Sequence, residues 1–298
     1  MSLALTSKRD VLFERAAMFA QVRAFFSSRD VLEVDVPLLY RGAPIDTHID
    51  LIEANCGGER AFLHSSPEFG MKRLLSEGVG DCFQLSHVFR NHESGSRHNP
   101  EFTMIEWYRL GFSLEELMQE TAALVRTFLP EITQDIEILS YQGAFERHLG
   151  YFPQTIEERD YHFAFSIEPH LGQKCLTFLT DYPPEQAALA RTRVKEGAVV
   201  AERFELFYQG VELANGYHEL CDPVEQRRRF EEENNARVAH GKESYPIDEE
   251  FLEALERGLP DCSGVALGFD RLMMLRCKTE QIEDVLPFIW QKNEQGVC

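Results

Sequence analysis

Two glutamates, Glu205 and Glu212, are spaced so that a divalent cation could bind between them. The chain around them has the pattern of a β-hairpin whose two-residue turn is Gln209-Gly210. That turn pairs Phe207 with Glu212. It also pairs Glu205 with Ala214, so both carboxylates lie on one face as diagonal neighbours. Such oxygen ligands suit Mg²⁺ shared with the phosphates of a nucleotide, although two exposed glutamates in an acidic chain would have the same spacing.

Two arginines are placed where proteins bind phosphate groups. Arg90 ends an apolar strand and enters a loop rich in Asn, His and Ser. Arg271 follows Gly268 in the first turn of a predicted helix, and a helix N-terminus favours anions. A planar guanidinium binds phosphate oxygens in pairs. The pattern favours a nucleotide site, while a solvated arginine at a strand end is the simpler alternative.

A third set of side chains could face an ammonium group. Glu106 and Tyr108 are two residues apart on a predicted strand, so they point to one side and Trp107 points to the other. Glu219 continues the strand that carries Glu212 and could add another acid. The alternative is a solvent-facing strand edge in a chain with many acids.

The composition limits the classes of partner. The 298 residues carry 30 basic and 50 acidic side chains, a formal charge of −20, which disfavours general contact with nucleic-acid phosphates. No segment reaches the roughly 18 apolar residues that a membrane span needs, and the first ten residues do not resemble a signal peptide. The seven cysteines never occur as C-x-x-C, which disfavours a disulfide framework or a zinc site. We therefore expect a cytoplasmic protein with no membrane partner.

The helices and strands that must position these residues alternate irregularly along the chain. Apolar residues at steps of three and four predict a helix from Leu12 to Phe26. Alternating apolar residues predict strands at 61–64, 82–90, 102–109 and 263–267. N-cap residues predict further helices that begin after Ser66, Ser113, Asp222 and Asp248, the first with Pro67 as its first helical residue. Strands without regular β-α-β alternation indicate an α+β fold, an antiparallel sheet flanked by helices, in a single domain of residues 1–298.

Several segments together resemble the motifs of class II aminoacyl-tRNA synthetases, and those of lysyl-tRNA synthetases in particular. The segments are, in chain order, 32–37 (motif 1), 65–68, 89–108 (motif 2), 212–220 and 264–271 (motif 3). They follow one another in the family's order and extend over nearly the whole chain. The resemblance implies the class II catalytic-domain fold, and motif 1 implies a homodimer.

The resemblance also implies a role for each candidate residue. The residues expected to bind ATP are Arg90, Asn91, His92, Asn99, Glu212, Leu213, Gly268 and Arg271. Among them, Arg90 and Arg271 would be the catalytic cations that bind the α- and γ-phosphates, and Asn99 would lie near the adenine. The residues expected to bind the amino-acid substrate are Ser66, Pro67, Glu68, Glu106, Tyr108, Asn215 and Glu219. Glu205 and Glu212 would bind Mg²⁺. The family usually has Glu after the Arg-Asn pair, where this chain has His92 followed by Glu93.

Within this group the chain is similar to elongation factor P–(R)-β-lysine ligases, which are paralogues of lysyl-tRNA synthetases without the anticodon-binding barrel. Motif 1 lies at the start of the chain, so we expect that barrel to be absent and anticodon-type tRNA binding with it. Ala266, where tRNA-charging relatives tend to have Gly, favours the ligases. The resemblance implies that lysine or (R)-β-lysine is activated by ATP as an acyl-adenylate and transferred to a lysine side chain of elongation factor P. The alternatives are a truncated lysyl-tRNA synthetase that acts on tRNA and a non-catalytic module that binds lysine and ATP.

Overall fold

The computed structural model describes residues 7–42 and 44–290, so the first six residues, Ala43 and the last eight, which include Cys298, lie outside the described ranges. The described helices are α1 Lys8–Ser27, α2 Glu68–Ser76, α3 Leu114–Phe128, α4 Tyr141–Leu149, α5 Ile156–His162, α6 Pro223–Ala239, α7 Glu249–Gly258 and α8 Phe269–Cys277. The described strands are β1 Leu32–Glu33, β2 Leu39–Tyr40, β3 Ile52–Cys56, β4 Glu59–Leu63, β5 Cys82–Phe89, β6 Glu101–Leu110, β7 Glu137–Ser140, β8 Thr177–Tyr182, β9 Thr192–Lys195, β10 Ala198–Tyr208, β11 Val211–His218 and β12 Cys262–Gly268. None of these eight helices combines the length and apolar character that crossing a membrane requires.

Nine of the described strands form one sheet at the centre of the fold. Its order is β1-β5-β6-β12-β11-β10-β8-β7, with β9 paired to β10, and β2, β4 and β3 form a separate small sheet. Neighbours are antiparallel except for β1 with β5 and β7 with β8, which are parallel. Parallel neighbours need crossover connections, which the small sheet with α2 supplies for one pair and α4 with α5 supplies for the other. The expected α+β class is confirmed, and the sheet is mixed at its two ends rather than wholly antiparallel.

Strand β6 divides the hydrophobic core from the site. Trp107 is fully buried on one face, where its ring centroid lies 5.2 Å from that of Phe26 in α1. Its Nε1 donates to Glu120 of α3 at 3.1 Å. Glu106 and Tyr108 lie on the opposite face and line a cavity. The predicted alternation along this strand is therefore confirmed.

A β-bulge in the hairpin of β10 and β11 changes the expected register. Phe207 pairs with Glu212 as the turn predicts, but Glu205 pairs with Asn215. The predicted partner Ala214 was wrong, because the register shifts by one residue just before Phe207 and β11 carries one extra residue. Glu212 and Asn215 consequently both line the cavity, although a regular strand would place residues three apart on opposite faces.

Helix α2 begins one residue later than expected. Pro67 is the N-cap and Glu68 the first helical residue, so the N-cap predicted at Ser66 was wrong by one position. The Ser66 hydroxyl accepts the backbone N–H of Glu68 at 3.0 Å and donates to Glu106 Oε2 at 2.6 Å. It therefore links the start of α2 to β6. The N-caps predicted at Ser113, Asp222 and Asp248 are confirmed.

A buried ion pair joins α1 to α8. Arg15 Nη1 lies 2.5 Å from Asp270 Oδ1. Arg15 Nη2 donates to Thr103 Oγ1 of β6 at 2.9 Å, and Asp270 Oδ2 accepts the backbone N–H of Thr103 at 2.6 Å. Since all three residues are buried, the pair fixes the start of α8 against the sheet.

We expect Arg15→Ala to lower the free energy of unfolding by about 3–5 kcal/mol, because it leaves the buried Asp270 without its cation. The matched control is Arg228→Ala, which removes an exposed arginine from its ion pairs with Glu225 and Glu232. This control should change the free energy of unfolding far less than Arg15→Ala does, because exposed ion pairs contribute little to stability. Urea unfolding followed by circular dichroism measures both variants, and equal losses would contradict the role assigned to the buried pair.

Candidate active site

One face of the large sheet carries a cavity of about 600 Å³, and most candidate residues line it. Strands β6, β10, β11 and β12 contribute to its lining together with α2, α6 and the loop between β5 and β6. The predicted site residues found in the lining are Ser66, Glu68, Arg90, Asn99, Glu106, Tyr108, Glu205, Glu212, Leu213, Asn215, Glu219, Gly268 and Arg271. Side chains that are far apart in the sequence thus meet in one cleft.

The candidates that lie outside this lining are Pro67, Asn91 and His92. His92 has a left-handed backbone with φ of 65°, and its side chain is exposed. The backbone N–H of Asn91 donates to the carbonyl of Asp50 at 2.6 Å, which holds this part of the loop beside β3. Glu93 lines the cavity instead and lies 3.9 Å from Arg90. Asn91 and His92 therefore do not line the cavity, whereas Glu93 does.

The acidic end of the cavity, which we define as Glu68, Glu106, Tyr108 and Glu219, is largely buried. Glu106 accepts from Ser66 Oγ at 2.6 Å and from Tyr108 Oη at 2.7 Å. Burial, with the charge of Glu68, raises the pKa of Glu106 to about 7. Burial likewise raises the pKa of Glu219 to about 8, and its Oε1 has no hydrogen-bond partner among the described residues. An ammonium group that enters this end would replace the protons that these acids hold near neutral pH.

The acidic end also contains a lysine that sequence analysis missed. Lys72 Nζ lies 2.6 Å from Glu68 Oε1 and 2.6 Å from Glu219 Oε2. Burial by itself would lower the pKa of Lys72, but the charges of Glu219 and Glu68 raise it above the ordinary value, so the amine is protonated. The spacing of Glu68 and Lys72 on one helix face was the available signal, but a lysine in such a pair is normally exposed.

Two arginines in the same cavity have donors that a phosphate could use. Arg271 Nη1 donates to the carbonyl of Glu212 at 2.9 Å, and Nη2 lies 2.7 Å from His98 Nε2. Burial and the charge of Arg271 lower the pKa of His98, so this ring is neutral. Within the described ranges, the buried Nε of Arg90 has no hydrogen-bond partner, and its guanidinium lies 5.2 Å from the ring centroid of Phe102. Two guanidinium groups of this kind suit a polyphosphate.

Gly268 leaves open space at the start of α8. Its φ of −72° is one that any residue adopts. A Cβ added there would meet no atom closer than 3.7 Å, and that atom belongs to the side chain of Arg271. Packing inside the described chain therefore does not require glycine, whereas the close approach of a ligand to this backbone would.

Three carboxylates near the arginines influence one another. Burial, then the charges of Glu212 and Glu205, raises the pKa of Glu168 to about 6, and burial raises the pKa of Glu205. Glu205 Oε2 accepts from Tyr182 Oη at 2.6 Å, and Oε1 pairs with Arg203. No group of three His, Cys, Asp or Glu side chains in the described residues could hold a metal ion by itself. Carboxylates that repel one another nevertheless fit a divalent cation whose other ligands are phosphate oxygens.

A mixed sheet with these motif positions around one cleft defines an enzyme of the class II synthetase type. Residues 1–292 match the family model described as class II tRNA synthetases (D, K and N). Proteins named elongation factor P–(R)-β-lysine ligase from Salmonella paratyphi B and Salmonella schwarzengrund are each 43% identical to the chain over 308 aligned residues, which cover 93% of this chain and 94% of the relative. The chain therefore belongs to this class II synthetase family. It is an ATP-dependent, amide-forming ligase.

Glu219→Gln should change how the stability of the ligand-free protein depends on pH. Between the ordinary pKa of 4.5 and about 8, the folded state holds a proton on Glu219 that the unfolded state has lost, so native stability falls as pH rises. Gln cannot ionise, so the variant should gain stability relative to the native protein by up to about 1.4 kcal/mol per pH unit. Urea unfolding at about pH 5 and about pH 8 measures the difference.

The control for this prediction is Glu249→Gln on the surface. A hydrogen bond from Arg227 lowers the pKa of Glu249, so this variant should show no gain as pH rises. If the unfolding free energies of the native protein and Glu219→Gln differ by the same amount at both pH values, the pKa of Glu219 is not raised.

Proposed function

We propose that this protein activates lysine or (R)-β-lysine with ATP and transfers it to a lysine side chain of elongation factor P. The names of its relatives support this substrate pair. The observation that carries the proposal is one cavity whose lining holds the carboxylates of the acidic end, Glu68, Glu106 and Glu219, together with Arg90 and Arg271. An amino acid with two ammonium groups is complementary to the carboxylates, and a triphosphate is complementary to the arginines.

In this proposal the acidic end binds both ammonium groups of the substrate. Glu68 and Glu106 contact the amine nearer the carboxyl group, and Tyr108 and Glu219 contact the terminal amine. The free Oε1 of Glu219 is an acceptor that no described residue uses. Asn215, which also lines the cavity, would complete the polar wall.

The nucleotide occupies the part of the cavity that holds the arginines. Arg90 binds the α-phosphate and Arg271 the γ-phosphate, while Gly268 and Leu213 lie against the nucleotide. Asn99 lies near the adenine, and its side chain is held by the carbonyl of Glu101 at 2.6 Å and the backbone N–H of Trp290 at 2.9 Å. Mg²⁺ held by Glu205 and Glu212 would neutralise phosphate charge.

The chemistry has two steps, and the protein supplies charge and placement rather than a nucleophile. The substrate carboxylate attacks the α-phosphorus of ATP, and the bond to the leaving diphosphate breaks, which gives an acyl-adenylate. The neutral amine of the acceptor lysine then attacks the acyl carbon, the bond to AMP breaks, the nitrogen releases one proton to solvent, and an amide forms. Arg90 stabilises the negative charge that develops on the α-phosphate, and the strands hold the reacting groups in line.

The proposal includes expectations about the whole molecule. Residues 1–298 would act as a single catalytic domain, and the protein would work as a homodimer in the cytoplasm. The resemblance of residues 32–37 to motif 1 supports the dimer. The formal charge of −20 supports a protein acceptor rather than tRNA.

Mass spectrometry of elongation factor P tests this function directly. After incubation with the protein, ATP, Mg²⁺ and one lysine isomer at a time, we expect one aminoacyl addition on a single lysine, with either lysine or (R)-β-lysine as donor. The controls are a reaction without ATP and an elongation factor P variant in which the mapped lysine is replaced by arginine. Robust charging of tRNA with no modification of elongation factor P would instead establish the tRNA-charging alternative.

Paired variants test the assignment of the two ends. Glu219→Gln leaves one substrate ammonium group without its charged partner and should raise KM for the amino acid by about 30-fold or more, with KM for ATP within about threefold. Arg271→Met should raise KM for ATP and leave KM for the amino acid within about threefold, because it removes the γ-phosphate contact. ATP–pyrophosphate exchange measures both constants. If each variant raised both constants equally, the division of the cavity into two ends would be wrong.

A further inference from the structure

Lys72 lies behind the acidic end of the cavity, where it contacts two lining carboxylates without lining the cavity itself. It lies on the second turn of α2, and its side chain has an exposed fraction of 0%. Its ammonium group contacts two carboxylates, Glu68 and Glu219, and lies 5.9 Å from the ring centroid of Phe251 in α7. The proposed reaction assigns no step to this amine, whose side chain is fully buried and paired with both carboxylates.

The charges near Lys72 can be counted. The carboxylates of the acidic end belong to Glu68, Glu106 and Glu219. Burial and the charges of these carboxylates also raise the pKa of nearby side chains: Tyr40 of β2, Cys82 of β5, Tyr108 of β6, Tyr217 of β11, Cys221 after β11 and Cys262 of β12. Arg203, a half-buried cation that also lines the cavity, is already paired with Glu205. With all three carboxylates ionised, Lys72 leaves a charge of about −2 for a ligand to neutralise.

We propose that Lys72 is a positioning residue that sets the charge of the acidic end, so that it takes a ligand with two ammonium groups. This inference rests on the proposed function in taking lysine or (R)-β-lysine as that ligand. Each carboxylate that contacts Lys72 uses one oxygen for it, and Glu219 keeps Oε1 free. The lysine thus fixes the directions in which the free oxygens face the ligand.

Loss of the Lys72 charge should change the protonation of Glu106 and Glu219. Lys72 opposes the rise in the pKa of Glu106 and Glu219, whereas the charge of Glu68 increases that rise. Without the lysine amine, both acids would hold their protons to higher pH and would reject ammonium groups at neutral pH. Removal of Glu68 together with Lys72 should largely cancel this effect, because one charge of each sign is lost.

The test compares Lys72→Met with Arg73→Met. Methionine keeps an unbranched side chain without the charge. Arg73 is the next residue of the same helix and pairs with Glu250 at the surface, so the control loses the same charge outside the cavity. For Lys72→Met we expect KM for lysine in pyrophosphate exchange to rise about 100-fold and KM for ATP to stay within about threefold. The acidic limb of kcat/KM for lysine should move up by about one pH unit, while Arg73→Met should match the native protein.

A merely structural lysine gives a different result. If Lys72→Met lowers Tm but leaves KM for lysine and the acidic limb as in the native protein, the inference is overturned. If Lys72→Met does not fold, the double variant Lys72→Met/Glu68→Gln decides the question. The double variant should fold, and the acidic limb of its pH profile of kcat/KM should lie at the native pH although KM for lysine is raised. An acidic limb that moves to higher pH would overturn the inference.

Binding of 1,5-diaminopentane, measured by calorimetry, separates this inference from the proposed function. This dication carries both ammonium groups but cannot be activated. The native protein should bind it, and Lys72→Met should bind it about 100-fold more weakly. If no lysine isomer supports pyrophosphate exchange, the proposed function is rejected. If the native protein and Lys72→Met bind the diamine with equal affinity, or if the native protein does not bind it, the charge-setting role of Lys72 is rejected.

Discussion

Carboxylates buried side by side repel one another, and the whole acidic end depends on how that repulsion is relieved. Burial raises the pKa of Glu106 to about 7 and that of Glu219 to about 8, so protons relieve part of it in the ligand-free protein. Lys72 relieves another part permanently. The cost of burying these charges is met when the chain folds, and a cationic ligand therefore meets a desolvated site that already favours it.

Two local features of the backbone let the acids converge. The bulge in β11 gives Glu212 and Asn215 the same face, which no regular strand would do. Gly264 of β12 makes room in the wall, since a Cβ there would lie 2.3 Å from Tyr108 Cε1 and 2.5 Å from Glu219 Oε1. Here the absence of a side chain is a packing requirement, in contrast to Gly268, where the chain itself leaves the space open.

The sequence was sufficient to predict those parts of the site that follow from strand alternation or from a sequence motif. Strand alternation separated Trp107 from Glu106 and Tyr108, and the motif positions predicted most residues of the cavity lining. Sequence reasoning failed where a contact depends on a distant partner. Lys72 looks like an ordinary exposed helix residue until Glu219 is placed beside it. The bulge was missed because a pairing rule assumes a regular ladder. The path of the loop at His92 depends on a left-handed backbone, which is uncommon for any residue other than glycine.

The partners of the charged groups fall into two kinds, and exposure separates them. Arg15 and Asp270 have only 7% and 2% of their side-chain surfaces exposed, and this pair holds α8 in place. Arg271, the residue after Asp270, is 23% exposed; its Nη1 contacts Glu212, and its Nη2 contacts the neutral ring of His98, a contact that a phosphate can replace at little electrostatic cost. The helix start is thus held by a pair that water does not reach, while the neighbouring arginine keeps an exchangeable partner. A site that must bind and release a polyanion in every turnover needs both: a fixed backbone, so that the cation is in place before the ligand arrives, and a weak internal contact, so that the ligand can displace it.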